Sequence, residues 1–319
     1  MFDSEFNVDI PEAIEENLAD IERDFLNDIA LVTSELSSLA DVMASYIGYL
    51  LSLEVSVPDG FLALRESIEV AFVSDFMREG NSYPESVGHT LRCIKENEKA
   101  IFISLLLEKL AEKNMSLREE DFLNYGDSST VFAYVKNTLA DEAYDVITVN
   151  IPEARPKYVP SFSEGVRMLL SGEVGYCLLP IEEKGGLRLP TVENLLLLEQ
   201  LKIQRIVPVF GFDGSADLKY ALVAKTAYIE PYQKEDDRYL EIHIPTEEFS
   251  LSPLLFALNL YEMTLYRIHT VGVDRAGERE EYFSIVLKSQ GESFVPLLSY
   301  LSLFFDRHSV VGIYKNLEY

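Results

Sequence analysis

The sequence predicts an α+β/α/β multidomain chain in three parts. These are an N-terminal helical module over 1–115, a single α/β lobe over 116–230, and a C-terminal ferredoxin-like βαββαβ unit over 236–319. Three observations predict it. Apolar residues recur at helical spacing through Ile14, Leu18, Ile21, Phe25, Ile29, Val32, Leu36, Leu39 and Val42. Beyond 115, short strand-like runs alternate with helical ones, the signature of an α/β layer. Beyond 236 the order is strand, helix, two strands around a polar turn, helix, strand. With 319 residues, 48% of them hydrophobic, the chain can bury a real core.

The elements follow in order. Pro11 suits a helix start, where its missing N–H costs little, and the first helix runs to about Leu53. The stretch VPDG, Val57 to Gly60, breaks it. A second helix is expected over about 61–79 and a third over about 84–113, which together could form a small bundle or a dimerisation module. In the lobe, DFLNY (121–125) reads as strand and 129–141 as helix. DVITVN (145–150) reads as strand and 161–171 as helix. YCLL (176–179) reads as a strand ending at Pro180, with Pro-Ile-Glu-Glu and two glycines as the following loop, then 191–201 as helix. IQRIVPVF (203–210) and KYALVAK (219–225) complete a mostly parallel sheet. Strand ends followed by small-residue loops are where such folds place ligands. YIEPYQKEDD (228–237) is a polar linker. The last unit has strands over 238–244, 265–273, 281–287 and 309–314, with helices over 251–262 and 293–305.

Composition excludes several function classes. The formal net charge is −27, which argues against nucleic acid or an anionic membrane as partner, since phosphate binding needs concentrated Lys and Arg. Any dicarboxylate would need a local basic pocket against this field. Cys93 and Cys177 show neither metal spacing nor a redox pair, and Cys177 reads as a buried small hydrophobe. His89, His243, His269 and His308 are scattered, so no metal and no cofactor is expected. The N-terminus lacks the basic-then-apolar order of a signal peptide. No run reaches the roughly 18 apolar residues of a membrane span. A cytoplasmic protein is expected.

The run SFSEGVRMLLSGEVGYCLLPIEEKGG (161–186) resembles prephenate dehydratases, in which helix, Gly-turn and strand lead into a Pro-Ile-Glu-Asn-Ser loop. Thr191 to Leu196 is similar to the family's following Thr-x-x-x-Leu-Leu. GDSSTVF (126–132) resembles its first substrate loop, Gly126 and Thr130 keeping their spacing. The βαββαβ unit resembles the regulatory ACT domain that follows the dehydratase. There Ser252-Pro253-Leu254 falls at Gly-Ala-Leu and Gly312-Ile313-Tyr314 at Gly-Ser-Tyr. The helical front end sits where bifunctional chorismate mutase–prephenate dehydratases carry their mutase. The resemblance covers about two-thirds of the chain by motif and the rest by order.

For an active enzyme the resemblance implies Thr130, Glu182, Lys184 and Lys219 as catalytic residues. It implies Gly126, Ser128, Ser129, Glu183 and Thr191 as ligand contacts, and Ser252, Leu254, His269 and Thr270 as effector contacts. The departures fall on the chemistry. Glu183-Lys184 replaces the neutral donors Asn-Ser, and a carboxylate there repels a substrate anion. ADLKYALVAK (216–225) has no Thr-Arg-Phe, leaving Lys219 or Tyr220 as proton donors in register. Only about twenty residues (roughly 199–218) stand where the family has a second lobe of several dozen, so one wall of the cleft is missing. From Asp24 to Leu64 there is no Lys, Arg or His, whereas a mutase pocket needs several cations. His269-Thr270-Val271 replaces the effector site's Glu-Ser-Arg.

Three readings follow. The chain is a catalytically degenerate relative acting in ligand binding or regulation of aromatic amino acid metabolism, with an aromatic amino acid or prephenate-like molecule as ligand. Alternatively it is an active prephenate dehydratase with a non-standard site, or, least supported, a chorismate mutase. Two candidate dimer surfaces predict a homodimer. A closed loop at 126–130 and 180–186 would favour the first reading; a second lobe between 205 and 220, or one supplied by residues 60–115 folding back, would favour the second.

Overall fold

The computed structural model describes residues 33–66, 94–96, 98–123, 129–183, 186–210, 216–227, 237–248, 250–275, 278–305 and 307–315. Helix α1 covers 33–52, and α2 (Val57–Glu66) and α3 (Lys99–Glu112) follow. The break after α1 falls at 53–56, with Glu54 at φ 63. The expected breaker VPDG is instead the first turn of α2. Ser56 Oγ accepts the Asp59 N–H there (3.3 Å), and Pro58 occupies a turn where no N–H is needed. Of the expected third helix, Lys99–Glu112 is helical and Glu98 just before it accepts the Lys95 N–H, while 84–93 and 97 lie outside the described residues. The remainder of the expected first and second helices lies outside the described residues.

The lobe is a five-stranded sheet of β1 (Val131–Tyr134), β2 (Arg155–Tyr158), β3 (Tyr176–Glu183), β4 (Lys202–Phe210) and β5 (Ala216–Ala224), in the order β2-β1-β3-β5-β4. Only β1 with β2 and β1 with β3 pair in parallel; β5 runs antiparallel to both neighbours. The expectation of a mostly parallel sheet is therefore corrected to a half-parallel one, because β4 and β5 pair antiparallel and the five residues between them are too few for the crossover a parallel pair needs. Helices α4 (Thr138–Thr148), α5 (Phe162–Ser171) and α6 (Pro190–Leu198) connect the strands.

Several local expectations fail for identifiable reasons. The run 129–141, read as helix, holds strand β1 at Val131–Tyr134 and turns helical only at Thr138, after the Asn137 cap. Of DFLNY, read as strand, Asp121 and Phe122 close a 3-10 turn, Glu119–Phe122, and Asn124 and Tyr125 lie outside the described residues. DVITVN belongs mostly to α4, because Asn137 caps that helix at the Ala140 N–H (2.9 Å) and Ala140, Ala143 and Ile147 form its buried stripe. The unforeseen β2 is an exposed edge strand, RPKY, where Pro156 is tolerated. The strand at 176–179 does not stop at Pro180. It runs to Glu183, and a register shift between Pro180 and Glu182 opposite β5 accommodates the missing donor.

The second sheet has the order β7-β8-β6-β9, from β6 (Asp237–Pro245), β7 (Thr264–Arg275), β8 (Glu278–Gln290) and β9 (Ser309–Tyr314). Helices α7 (Leu251–Leu260) and α8 (Val295–Phe304) interrupt the strands to give βαββαβ. Alternation divides β6 between two faces. Leu240, Ile242 and Ile244 join the core beneath α7 and α8, whereas Tyr239 joins the core of the lobe. The front helices pack on the same helix layer, since Met43, Phe61, Phe102 and Leu106 share one core with Leu254 and Leu301. A buried ion pair, Arg238–Glu119, and the Phe294 N–H on Glu119 (2.9 Å) bind the 3-10 turn to this unit. The two sheets meet at β4 and β9. A Cβ on Gly312 would stand 2.2 Å from the Ile203 carbonyl oxygen, so no larger residue fits there.

Candidate functional site

The carboxyl end of β3 is a closed polar seam between the sheets. Glu182 is 6% exposed. It lies opposite Lys219 on β5, whose Nζ is 2.8 Å from Oε1. Arg267 on β7 reaches Oε2 at 2.7 Å and the Gly186 carbonyl at 3.2 Å. Arg188, bridged to Glu182 through the backbone, stands 4.0 Å from Oε2 and donates from Nη2 to Glu241 on β6 at 2.7 Å. The Tyr314 hydroxyl donates to the same Glu241 oxygen at 2.7 Å. His269 on β7 contacts Glu193 of α6 at 2.5 Å. Glu182, Glu193 and Glu241 thus face Lys219, Arg188 and Arg267 in balanced charge.

Burial alone would raise the Glu182 carboxyl, but Lys219 and Arg267 outweigh it and hold the group below the usual carboxylate range. Burial likewise works against Glu241, and Arg188 with the Tyr314 hydroxyl holds it ionised. Burial pushes His243, 2% exposed, down to about 4 against the attraction of Glu241. Its folded pKa lies below the ordinary 6.5, so the unfolded chain binds the extra proton between pH 6.5 and 4. Stability from this group is complete above 6.5 and lost as pH falls toward 4. At pH 5 the expected loss is about 2 kcal/mol. Acid also relieves the repulsion of the −27 chain, so the test is a comparison. Urea unfolding at pH 7.5 and 5.0 should show a steeper loss in the native protein than in His243→Gln, and equal losses would mean that His243 is not buried neutral.

The sequence-predicted residues separate. Glu182 and Lys219 come together. Thr130 is half-buried just before β1, its carbonyl accepting the Arg155 N–H, and Ser129 is exposed. A Cβ on Gly175 would lie 1.9 Å from the Ser129 oxygen, so the Ser129 backbone seats directly on that glycine. Glu183 is exposed at the end of β3, its N–H donating to the Leu187 carbonyl, and Thr191 is exposed on the first turn of α6. Gly126, Ser128 and Lys184 lie outside the described residues. Ser252 is exposed at the start of α7, and Leu254 is fully buried beneath it on the helix side of the sheet. His269 projects from the opposite face toward α6, with Thr270 exposed beside it, so Leu254 and His269 do not converge.

Sequence reasoning missed Arg188, Glu193, Glu241, Arg267 and Tyr314. The signal was the alternation in RYLEIHI and LYRIHTVGV, which puts Glu241 with His243 and Arg267 with His269 on single strand faces. Such polar faces ordinarily meet water; here the lobe covers them. Proton transfer requires a group that can reach a substrate atom, and both Glu182 oxygens are already bound. Among the described residues no His, Cys, Asp and Glu cluster forms a metal site, and no helix is long and apolar enough to cross a membrane. The Cys177 thiol, 1% exposed, is pushed up to about 12 by burial.

The sequence matches no protein-family model and no curated protein. Among solved structures, the chain is similar to the prephenate dehydratase of Streptococcus mutans, with 15% identity over 60% of this chain and 100% of that one, at a TM-score of 0.47. It is similar to GqqA, a quorum quenching acylase, with 14% identity over 60% and 97% of the two chains and a TM-score of 0.44. A third similar structure is the prephenate dehydratase of Arthrobacter aurescens in complex with L-Phe, with 11% identity over 58% and 90%, at 0.43. These likenesses are distant, and the chemistry of the seam rests on its own geometry.

Proposed function

We propose that the chain is a prephenate dehydratase-like protein of aromatic amino acid metabolism that lacks the dehydratase reaction and acts by ligand binding or regulation. The observation that carries this reading is Glu182. It is the acidic residue kept from the Pro-Ile-Glu motif, and it is buried with both oxygens on Lys219 and Arg267. The lobe arrangement supports the same reading. β4 ends at Phe210 and β5 begins at Ala216, which leaves no room for a second lobe between them. Without that wall a prephenate molecule is neither enclosed nor shielded from water.

The test is conversion of prephenate to phenylpyruvate at neutral pH, where acid decomposition is slow. The native protein and Lys219→Ala should both match the spontaneous rate. Turnover above that rate that falls in Lys219→Ala would overturn the reading and make the chain an active dehydratase. The 236–319 unit is read as ACT-like, with an aromatic amino acid as ligand and a homodimer as its assembly. Leu251 and Leu255, four residues apart on one face of α7, are exposed and support pairing through this unit. Light scattering should give twice the chain mass, and a monomer at micromolar concentration would contradict the pairing.

A further inference from the structure

A second site lies at the other end of the lobe. A cavity of about 450 Å³ opens where the start of β4, the end of β5 and the start of β9 meet. It shares no residue with the Glu182 seam, because Lys202 pairs with Ala224 whereas Lys219 pairs with Pro208, at the opposite end of the same hairpin. Two ammonium groups line it. Lys202 Nζ donates to the Val310 carbonyl at 2.6 Å, and Lys225 Nζ lies 3.5 Å from the Leu170 carbonyl. Neither has a carboxylate within ion-pair distance among the described residues, although acidic residues outnumber basic ones 54 to 27 in this chain. A cation drawn into protein without a counter-charge is costly unless something pairs with it. Burial accordingly pulls the Lys202 amine down to about 8, with nothing offsetting it.

The remaining lining fits the same ligand. Phe122 and Leu170 give the cavity an apolar wall, and Gln200 and Ser309 supply neutral polar groups. His308 is pushed down to about 4, chiefly by burial, so it is uncharged at neutral pH. Among the described residues Glu199 is the one carboxylate of the lining, and it disfavours a second negative charge on the ligand. The volume is that of a small-molecule site. We propose that this cavity binds a small organic monoanion, a carboxylate on an apolar body, with Lys202 and Lys225 on the carboxylate and Phe122 and Leu170 against the body. Occupancy would join the lobe to β9, since the cavity takes lining from both. The inference is independent of the dehydratase-like reading.

The test is calorimetric titration of the full chain at pH 7 with phenylacetate, with 2-phenylethanol as its uncharged counterpart. Phenylacetate should bind saturably at one site and 2-phenylethanol should not. Lys225 is exposed, so Lys225→Gln is expected to fold and to weaken binding about tenfold or more. Lys202→Met should weaken it similarly, while Lys157→Gln on the far edge strand β2 leaves it unchanged. No saturation below about 10 mM phenylacetate, equal binding of 2-phenylethanol, or undiminished affinity in Lys225→Gln would each overturn the assignment.

Discussion

Replacing Glu241 with alanine is expected to cost about 3–5 kcal/mol of folding stability, the magnitude typical of breaking one side of a buried ion pair. Glu241 is 1% exposed and receives both the Arg188 guanidinium and the Tyr314 hydroxyl. Arg188 is itself 5% exposed, and its Nε and Nη1 already lack hydrogen-bond partners. Removing Glu241 leaves a guanidinium with little solvent and its best counter-charge gone. The unfavourable term is the stranded charge rather than the lost attraction, so the double variant Glu241→Leu/Arg188→Met should recover most of the stability. Denaturant unfolding at pH 7 measures both. A cost below about 1 kcal/mol for Glu241→Ala would place the pair with solvated surface bridges.

Much of the secondary structure is legible locally. Helix α5 is the plainest case. Ser161 accepts the Glu164 N–H at one end, and Gly172 at φ 79 closes the other. The strand and helix order after 236 is equally readable, because each strand alternates and each helix is apolar over about three turns. The errors sit where tertiary context overrides local preference. DVITVN has β-branched residues enough for a strand, yet the Asn137 cap recruits it to α4. Pro180 looks like a strand terminator, yet a register shift carries β3 past it.

The candidate site was half legible. The resemblance named Glu182 and Lys219, which meet in the seam, and His269, which joins it through Glu193 rather than at an effector site. The other members come from the second sheet and from Arg188, with partners 53 to 85 residues apart in the chain. Nothing local in RYLEIHI distinguishes a strand whose polar face meets water from one whose polar face meets another sheet. Only the packing of β6 and β7 against the lobe buries Glu241 and His243 and half-buries Arg267.

The most direct test of the central claim is the stability of Glu182→Ala. A carboxylate retained for chemistry is commonly a stability liability, and its removal leaves the protein unchanged or more stable. A carboxylate that holds a seam behaves in the opposite way. Without Glu182, Lys219 and Arg267 lose their shared counter-ion, with Arg188 4.0 Å away from the vacated oxygen position. We expect a loss of about 3 kcal/mol, read as a lower urea midpoint at pH 7 with an unchanged slope. A midpoint equal to or above that of the native protein would contradict the account and return Glu182 to the role of a residue kept for substrate.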